Sequence, residues 1–274
     1  MSNLVSTEWL DAHLPDVRVV DASWYMPDER REPIKEFQAG HIPGAVFFDI
    51  DAIADRTTGL PHMLPTPGEF SKAVGALGIG DGETVVAYDG AGTFSAPRLW
   101  WTLKAFGHRN VKVLDGGFPK WKREGRAVET GWTQPNSKFF TAIRKPQLIR
   151  DFDSVLKIVR DGSAQVLDAR SPARFNAEEP EPRAGVRGGH MPGARNVHYR
   201  RLIAEDGTLK PKQELRAAFD VVDLNRPIVT TCGSGLTAAI LMLALEEIGA
   251  RDVALYDGSW TEWGGRPEAP VETS

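Results

Sequence analysis

The residues best suited to chemistry lie between Cys232 and Ala238. Cys232 is the only cysteine among 274 residues. The preceding run Pro227-Ile-Val-Thr-Thr231 has the β-branched composition of a short buried strand, and Leu236 to Ile248 reads as an apolar helix. Cys232-Gly-Ser-Gly-Leu-Thr237 must then turn tightly between them. A loop of this kind aims successive backbone N–H groups, and a helix N-terminus, into its hollow. A thiolate there is stabilised, and the thiolate is the nucleophilic form of cysteine. An ordinary thiol, of pKa about 8.5, is only a few per cent ionised at neutral pH. Lowering that by about two units takes roughly 2.7 kcal/mol of preference for the anion, which several N–H donors and a helix end can supply. By residue type alone a lone cysteine is more often a small buried hydrophobe. Gly233 and Gly235, flanking Ser234, move the reading towards a reactive sulfur.

The bulk composition bounds the setting. Hydrophobic residues make up 41% and charged residues 26%, as in ordinary globular domains, and 274 residues allow one large domain or two smaller ones. A net charge of −4 argues against nucleic acid as the main partner. A single cysteine excludes an internal disulfide, a cysteine-based metal cluster and a resolving thiol. No His/Cys/carboxylate set has metal-ligand spacing, so no metal is expected. The N-terminal MSNLVSTEWL has neither a secretory nor a transit pattern, and no apolar run approaches membrane-spanning length. The expected compartment is the reducing cytoplasm.

Self-similarity organises the chain. Val17-Arg-Val-Val-Asp-Ala22 recurs as Gln165-Val-Leu-Asp-Ala169, and Gly40-His-Ile-Pro-Gly-Ala45 as Gly189-His-Met-Pro-Gly-Ala194. Thr84-Val-Val-Ala-Tyr-Asp89 matches Ile228-Val-Thr-Thr-Cys232, and Val113-Leu-Asp-Gly-Gly117 matches Leu255-Tyr-Asp-Gly-Ser259. Trp121 and Trp263 follow at the same distance. The chain is a tandem duplication, with Asp89 at the place of Cys232. His41 and His190, each before Pro-Gly, read as turn residues, as do Asp21, Asp168, Asp115 and Asp257 at strand ends.

Each copy alternates β-branched runs with helical patterns, which predicts an α/β fold with a mostly parallel sheet flanked by helices. Strands are expected near 17–21, 45–48, 84–88 and 111–114, then 165–168, 228–231 and 252–256. Helices are expected near 68–77, 95–106 and 118–124, then 151–160, 211–220 and 236–248. Residues 126–150, rich in Gly, Thr, Pro, Asn and Ser, read as a linker between domains at 4–125 and 151–270.

The duplicated unit, the paired His-x-Pro-Gly-Ala segments and the Cys232-Gly-Ser-Gly-Leu-Thr-Ala238 loop resemble a two-domain rhodanese-type sulfurtransferase, most closely the 3-mercaptopyruvate sulfurtransferases. The resemblance runs from about Leu4 to Glu268. It includes Asp21-Ala-Ser-Trp-Tyr25, Phe47-Phe-Asp-Ile-Asp51, His62-Met-Leu-Pro65, Ser95-Ala-Pro-Arg98, Glu181-Pro-Arg183 and Tyr256-Asp-Gly-Ser-Trp260. It implies two tandem rhodanese-like domains, the first catalytically silent. Leu236 replaces the family's usual Val.

The resemblance also implies the reaction. The Cys232 thiolate attacks a donor sulfur, a persulfide forms, and a thiol or cyanide removes the outer sulfur, with no cofactor. Thiosulfate-preferring relatives carry Arg and Lys after the cysteine, where this chain has uncharged Gly233 and Ser234. Arg174 and Arg183 match the family arginines that bind the mercaptopyruvate carboxylate and carbonyl, contacts that suit a planar 2-oxo acid. Gly233, Gly235, Leu236 and Thr237 line the loop that receives the substrate. Ser234 is grouped with His62 and Asp51 in a serine–histidine–aspartate relay across the domain interface. Arg187 and Arg195 read as surface cations. Expected acceptors are thioredoxin, a small thiol or cyanide, and the chain is expected to be a monomer. Rival readings are a thiosulfate:cyanide sulfurtransferase and a non-catalytic persulfide carrier. A cysteine phosphatase is disfavoured because Ala238 stands where its phosphate-binding arginine would be.

Overall fold

The computed structural model describes residues 2–273, which form two compact units of the same architecture. The first comprises residues up to Ala54, Pro65–Lys145 and Ile203–Leu209. Its strands are β1 (Leu4–Val5), β2 (Arg18–Asp21), β3 (Val46–Phe47), β4 (Val85–Tyr88) and β5 (Val111–Leu114), ordered β1-β5-β4-β2-β3 and all parallel. Its helices are α1 (Thr7–His13), α2 (Pro33–Ala39), α3 (Pro67–Ala76), α4 (Ala96–Ala105) and α5 (Gly117–Arg123).

The second unit comprises Asp55–Leu64, Pro146–Leu202 and the chain from Lys210. Strands β6 (Ile149–Arg150), β7 (Gln165–Asp168), β8 (Arg195–Asn196), β9 (Ile228–Thr231) and β10 (Val253–Tyr256) repeat the order as β6-β10-β9-β7-β8. Helices α6 (Phe152–Asp161), α7 (Pro172–Phe175), α8 (Lys212–Ala218), α9 (Ala238–Glu247) and α10 (Ser259–Gly265) flank it. Among the described residues no helix is long and apolar enough to cross a membrane.

The inner strands and the helices behind them carry the core. Every residue of β4 and β9 is buried, and their apolar runs suit strands covered on both faces. Helix α9, Ala-Ala-Ile-Leu-Met-Leu-Ala-Leu-Glu-Glu, is apolar around nearly its whole circumference and buried along nearly its whole length. The strands foreseen in sequence are present; β1, β6 and β8, two residues each, were not foreseen. Such short edge strands carry no period, and β1 and β6 form only because β5 and β10 offer an open edge.

Residues 126–150, expected as a linker, pack along the first unit as far as Lys145. Lys138 N–H donates to Gly75 O (2.9 Å), Ile143 N–H to Phe106 O (2.9 Å), and Phe140 is buried beside Phe70. A Cβ on Gly75 would lie 2.6 Å from Lys138 O, so this close approach needs glycine. The first part of the segment also belongs to the repeat. Trp121 Nε1–H donates to Ala127 O, as Trp263 Nε1–H does to Pro270 O. Glu129 exchanges backbone hydrogen bonds with His41, as Glu272 does with His190. The His41 and His190 rings stack on Phe37 and Phe175 and donate to their carbonyls, so both histidines hold turns.

Two short segments are exchanged between the repeats. Asp257, after β10, accepts the N–H of Leu64 (2.8 Å), and Asp115, after β5, accepts that of Leu209 (2.8 Å). These aspartates therefore hold a visiting segment.

Asp21 and Asp168 close β2 and β7, and each accepts the N–H of the second residue onward, Ser23 or Arg170. Arg170 Nε and NH2 also pair with the Asp168 carboxylate; Ser23 gives Asp21 no such cation. Burial consequently pushes the Asp21 carboxyl up to about 6, against the opposing hydrogen bonds from Ser23 and Tyr88. Between its ordinary pKa and about 6 the folded state keeps this proton while the unfolded chain releases it. The folded state then binds more protons, so stability falls as pH rises through that window. Asp21→Asn should flatten this part of the stability–pH profile and raise stability at neutral pH by up to about 3 kcal/mol. Denaturant titrations of both proteins across the window check this; parallel profiles would refute it.

Candidate active site

The second unit brings Cys232 to the end of β9, 2% exposed. Its N–H donates to Ser259 Oγ (3.3 Å), and its carbonyl accepts from Trp260 N–H (2.9 Å). Ser259 Oγ in turn donates to Tyr256 O (2.8 Å). Ser259 has φ 50°, a left-handed conformation costly for a non-glycine residue. The equivalent residue of the first repeat is Gly117, also at positive φ, so the hydroxyl is retained despite backbone strain.

Past Cys232 the chain turns through Gly235 (φ 77°) into α9. The N–H groups of Gly233, Ser234, Leu236, Thr237 and Ala238 donate to no group among the described residues. The first repeat shows what such a loop holds. Asp89, fully buried at the end of β4, accepts N–H from Phe94 (2.8 Å), Ser95 (2.9 Å) and Ala96 (2.8 Å) on one carboxylate oxygen, and from Ala91 (2.9 Å) on the other. That loop is one residue longer, so Phe94, Ser95 and Ala96 correspond to Leu236, Thr237 and Ala238. The sister loop thus places a carboxylate on the donors that the Cys232 loop leaves open.

Two arginines converge on Gly233. A Cβ there would lie 3.0 Å from Arg174 NH2, so the guanidinium rests against the bare glycine. Arg174, in α7, is held by Glu181, with NH2–Oε2 at 2.6 Å and Nε–Oε1 at 3.2 Å. Arg183 is exposed and donates to Thr261 Oγ1 (3.4 Å); Thr261 donates through Oγ1 (2.6 Å) and N–H (2.9 Å) to Gly233 O. Glu181 also accepts from Arg170 NH1 (2.8 Å), whose guanidinium lies over the Trp260 ring. Burial works against the Arg170 charge, but Asp168 and Glu181 outweigh it and hold its pKa above the ordinary value. Asp168, Arg170, Glu181 and Arg174 therefore form a row of alternating charges ending at the cysteine loop.

His62 enters this unit on the segment Asp55–Leu64. It is 5% exposed, has φ 61°, and places Nδ1 3.3 Å from Ser234 O. Asp51 belongs to the first unit, where its carboxylate accepts the Trp24 indole N–H (2.9 Å). Leu236 is buried and Thr237 half-buried as the cap of α9. Arg187 is bound to the carbonyls of Trp263, Gly264, Arg266 and Ala269 and braces the C-terminal segment. Sequence reasoning gave no role to Glu181 or Thr261, and took Ser259 and Trp260 only as parts of wider matches. The one available signal was Ser259 standing where the sister copy has Gly117.

This geometry defines a duplicated α/β protein with one cysteine loop whose backbone N–H groups are open. The rhodanese-like domain family matches residues 6–124 and 151–266, and the chain belongs to that family. It is 45% identical, over 98% of its length and 78% of the relative's, to thiosulfate/3-mercaptopyruvate sulfurtransferase 1, mitochondrial, of Arabidopsis thaliana. It is 44% identical to 3-mercaptopyruvate sulfurtransferase of Escherichia coli K12, over 98% of this chain and 97% of that one. The crystal structure of the 3-mercaptopyruvate sulfotransferase SseA from Escherichia coli superposes with a TM-score of 0.87 at 41% identity, covering 95% of this chain and 99% of that chain.

The charge row has a measurable weight. Glu181→Gln leaves two buried or half-buried guanidinium groups short of a counter-charge and should destabilise the protein by on the order of 3 kcal/mol. Thermal and urea unfolding measure this; a loss no larger than the ~0–1 kcal/mol of a surface ion pair would exclude the buried-pair account.

Proposed function

We propose that the protein is a sulfurtransferase that moves the sulfur of 3-mercaptopyruvate through a Cys232 persulfide to a thiol or cyanide acceptor and releases pyruvate. The observation that carries the reading is the set of open N–H groups around Cys232, whose counterparts hold the Asp89 carboxylate. A persulfide places its outer sulfur as many bonds from Cα as an aspartate places its carboxylate oxygens. The cradle therefore suits a terminal sulfur anion as well as a thiolate.

The Cys232 thiolate attacks the donor sulfur and forms the S–S bond. The donor C–S bond breaks, and its electron pair leaves on carbon as the enolate of pyruvate. The proton of the donor thiol ends on that carbon, and the persulfide remains as an anion in the loop. Ser234, His62 and Asp51 carry this proton in the relay that the family resemblance implies. Arg174 and Arg183 bind the carboxylate and carbonyl of the 2-oxo acid, and uncharged Gly233 and Ser234 disfavour a dianionic donor. Because Cys232 is the only cysteine, an external nucleophile, such as thioredoxin, a small thiol or cyanide, takes the outer sulfur. The protein acts as a monomer in a reducing, cytoplasmic setting.

Cys232→Ser should abolish sulfur transfer with the fold retained, and mass spectrometry after donor exposure should find one extra sulfur on Cys232 of the parent protein alone. Activity retained by the variant would refute the persulfide route. Single-turnover release of pyruvate should accompany loading; a pure persulfide carrier would release none. Arg183→Ala should raise KM for mercaptopyruvate at least about tenfold while changing KM for thiosulfate little, because only the former is a 2-oxo acid. Equal losses, or a higher kcat/KM for thiosulfate in the parent protein, would favour the thiosulfate reading.

A further inference from the structure

The first unit contains a cavity of about 450 Å³ lined by Asp21, Ser23, Glu36, Gly90, Phe118 and Lys122, among others. It occupies the place that the Arg170 side chain fills in the second unit. There, Arg170 lies two residues after Asp168, pairs with that carboxylate through Nε and NH2, donates to Gly189 O and stacks over Trp260 at 4.2 Å. In the first unit the counterparts of Asp168, Gly189 and Trp260 remain, the guanidinium does not, and Arg31 stands in the place of Glu181, the other carboxylate that Arg170 pairs with. Asp21 stands for Asp168, Gly40 for Gly189 and Phe118 for Trp260, but Ser23 replaces Arg170. The Ser23 hydroxyl is turned to the loop, accepting the N–H of Gly90 (2.8 Å).

Asp21 is consequently a buried carboxylate, 3% exposed, with no cation paired to it. The other charges lining the cavity are engaged with groups of its own wall, Arg31 NH2 donating to Gly90 O (3.3 Å) among them. Arg31 is bound to Glu36, to the Tyr25 hydroxyl and over the Tyr25 ring. Lys122 is exposed, with its ammonium over the outer face of Phe118 at 4.7 Å. What the second unit supplies from its own chain, the first leaves to be supplied from outside.

We infer that this cavity is a binding site for a guanidinium group, whose planar fork pairs with the Asp21 carboxylate and stacks on Phe118 as Arg170 does with Asp168 and Trp260. The group comes either from a free alkylguanidine or from an arginine side chain of a peptide; the cradle recognises the same fork in both. The site is independent of Cys232 and of the donor reading above.

The test is an amide-resolved NMR titration of the full protein with ethylguanidinium, at constant ionic strength and near pH 7.5. Saturable shifts are expected at Ser23, Gly90 and Phe118. Asp21→Asn should weaken binding at least about tenfold, the scale of a lost charge-assisted pair. Ser23→Arg should abolish binding by filling the cavity from within, while the sulfur-transfer rate stays at the parent level. Lys122→Met should tighten binding by removing the competing cation. Ethylammonium, which lacks the fork, should bind several-fold more weakly. A parallel titration with an end-blocked Gly-Arg-Gly peptide separates the two sources: tighter binding than ethylguanidinium assigns the site to an arginine side chain, weaker binding to a free guanidine. No saturable shift with either probe, or unchanged binding in both Asp21→Asn and Ser23→Arg, would overturn the inference.

Discussion

The structure depends on one constraint: the backbone N–H groups at the start of the helix that follows each central strand need an acceptor. Inside a protein an unmatched N–H is costly, and several pointing into one hollow make a demand for negative charge. The first repeat meets that demand within its own chain, with four N–H groups on the buried Asp89 carboxylate. The second leaves the demand open around Cys232. The two copies of one loop thus differ in that one set of N–H groups is filled from within the chain and the other is not.

The same complementarity governs the surroundings of each loop. Around Cys232, the row Asp168, Arg170, Glu181, Arg174 places a cation next to Gly233. In the first repeat the polarity is inverted. The residue preceding the histidine-stacked phenylalanine is Glu36 instead of Arg174, and it is held by Arg31 where Glu181 holds Arg174. The mouth of that loop is covered as well, since a Cβ on Gly90 would lie 2.1 Å from the Tyr25 hydroxyl. The two repeats share a backbone and differ in the sign of the charge beside it. That difference in charge accompanies the exchange of Asp89 for Cys232 between the two copies.

Strain marks the same place. Among the described residues only four non-glycine residues have positive φ, and His62 and Ser259 are two of them. Ser259 holds the Cys232 N–H, and His62 meets the carbonyl of Ser234. Residues kept in costly conformations beside the Cys232 loop are held there by long-range packing, because local preference opposes them.

The sequence by itself determined the duplication, the inner strands, the apolar helix α9 and the position of Cys232 at a strand–helix junction. Those features rest on local periodicity, on glycine placement and on one copy matching the other, all of which are written along the chain. The short strands β1, β6 and β8 lack any period and exist through partners, across 100 or more residues for β1 and β6. The exchange of Asp55–Leu64 and Ile203–Leu209, the grip of Asp257 and Asp115 on them, and the seating of residues 126–145 along the first unit were likewise decided only in three dimensions. So was the convergence of Arg174, Glu181, Thr261 and Arg183 on Gly233. A hydrogen bond or ion pair between residues distant in sequence leaves no periodic trace, and the tertiary fold alone decides which charges meet.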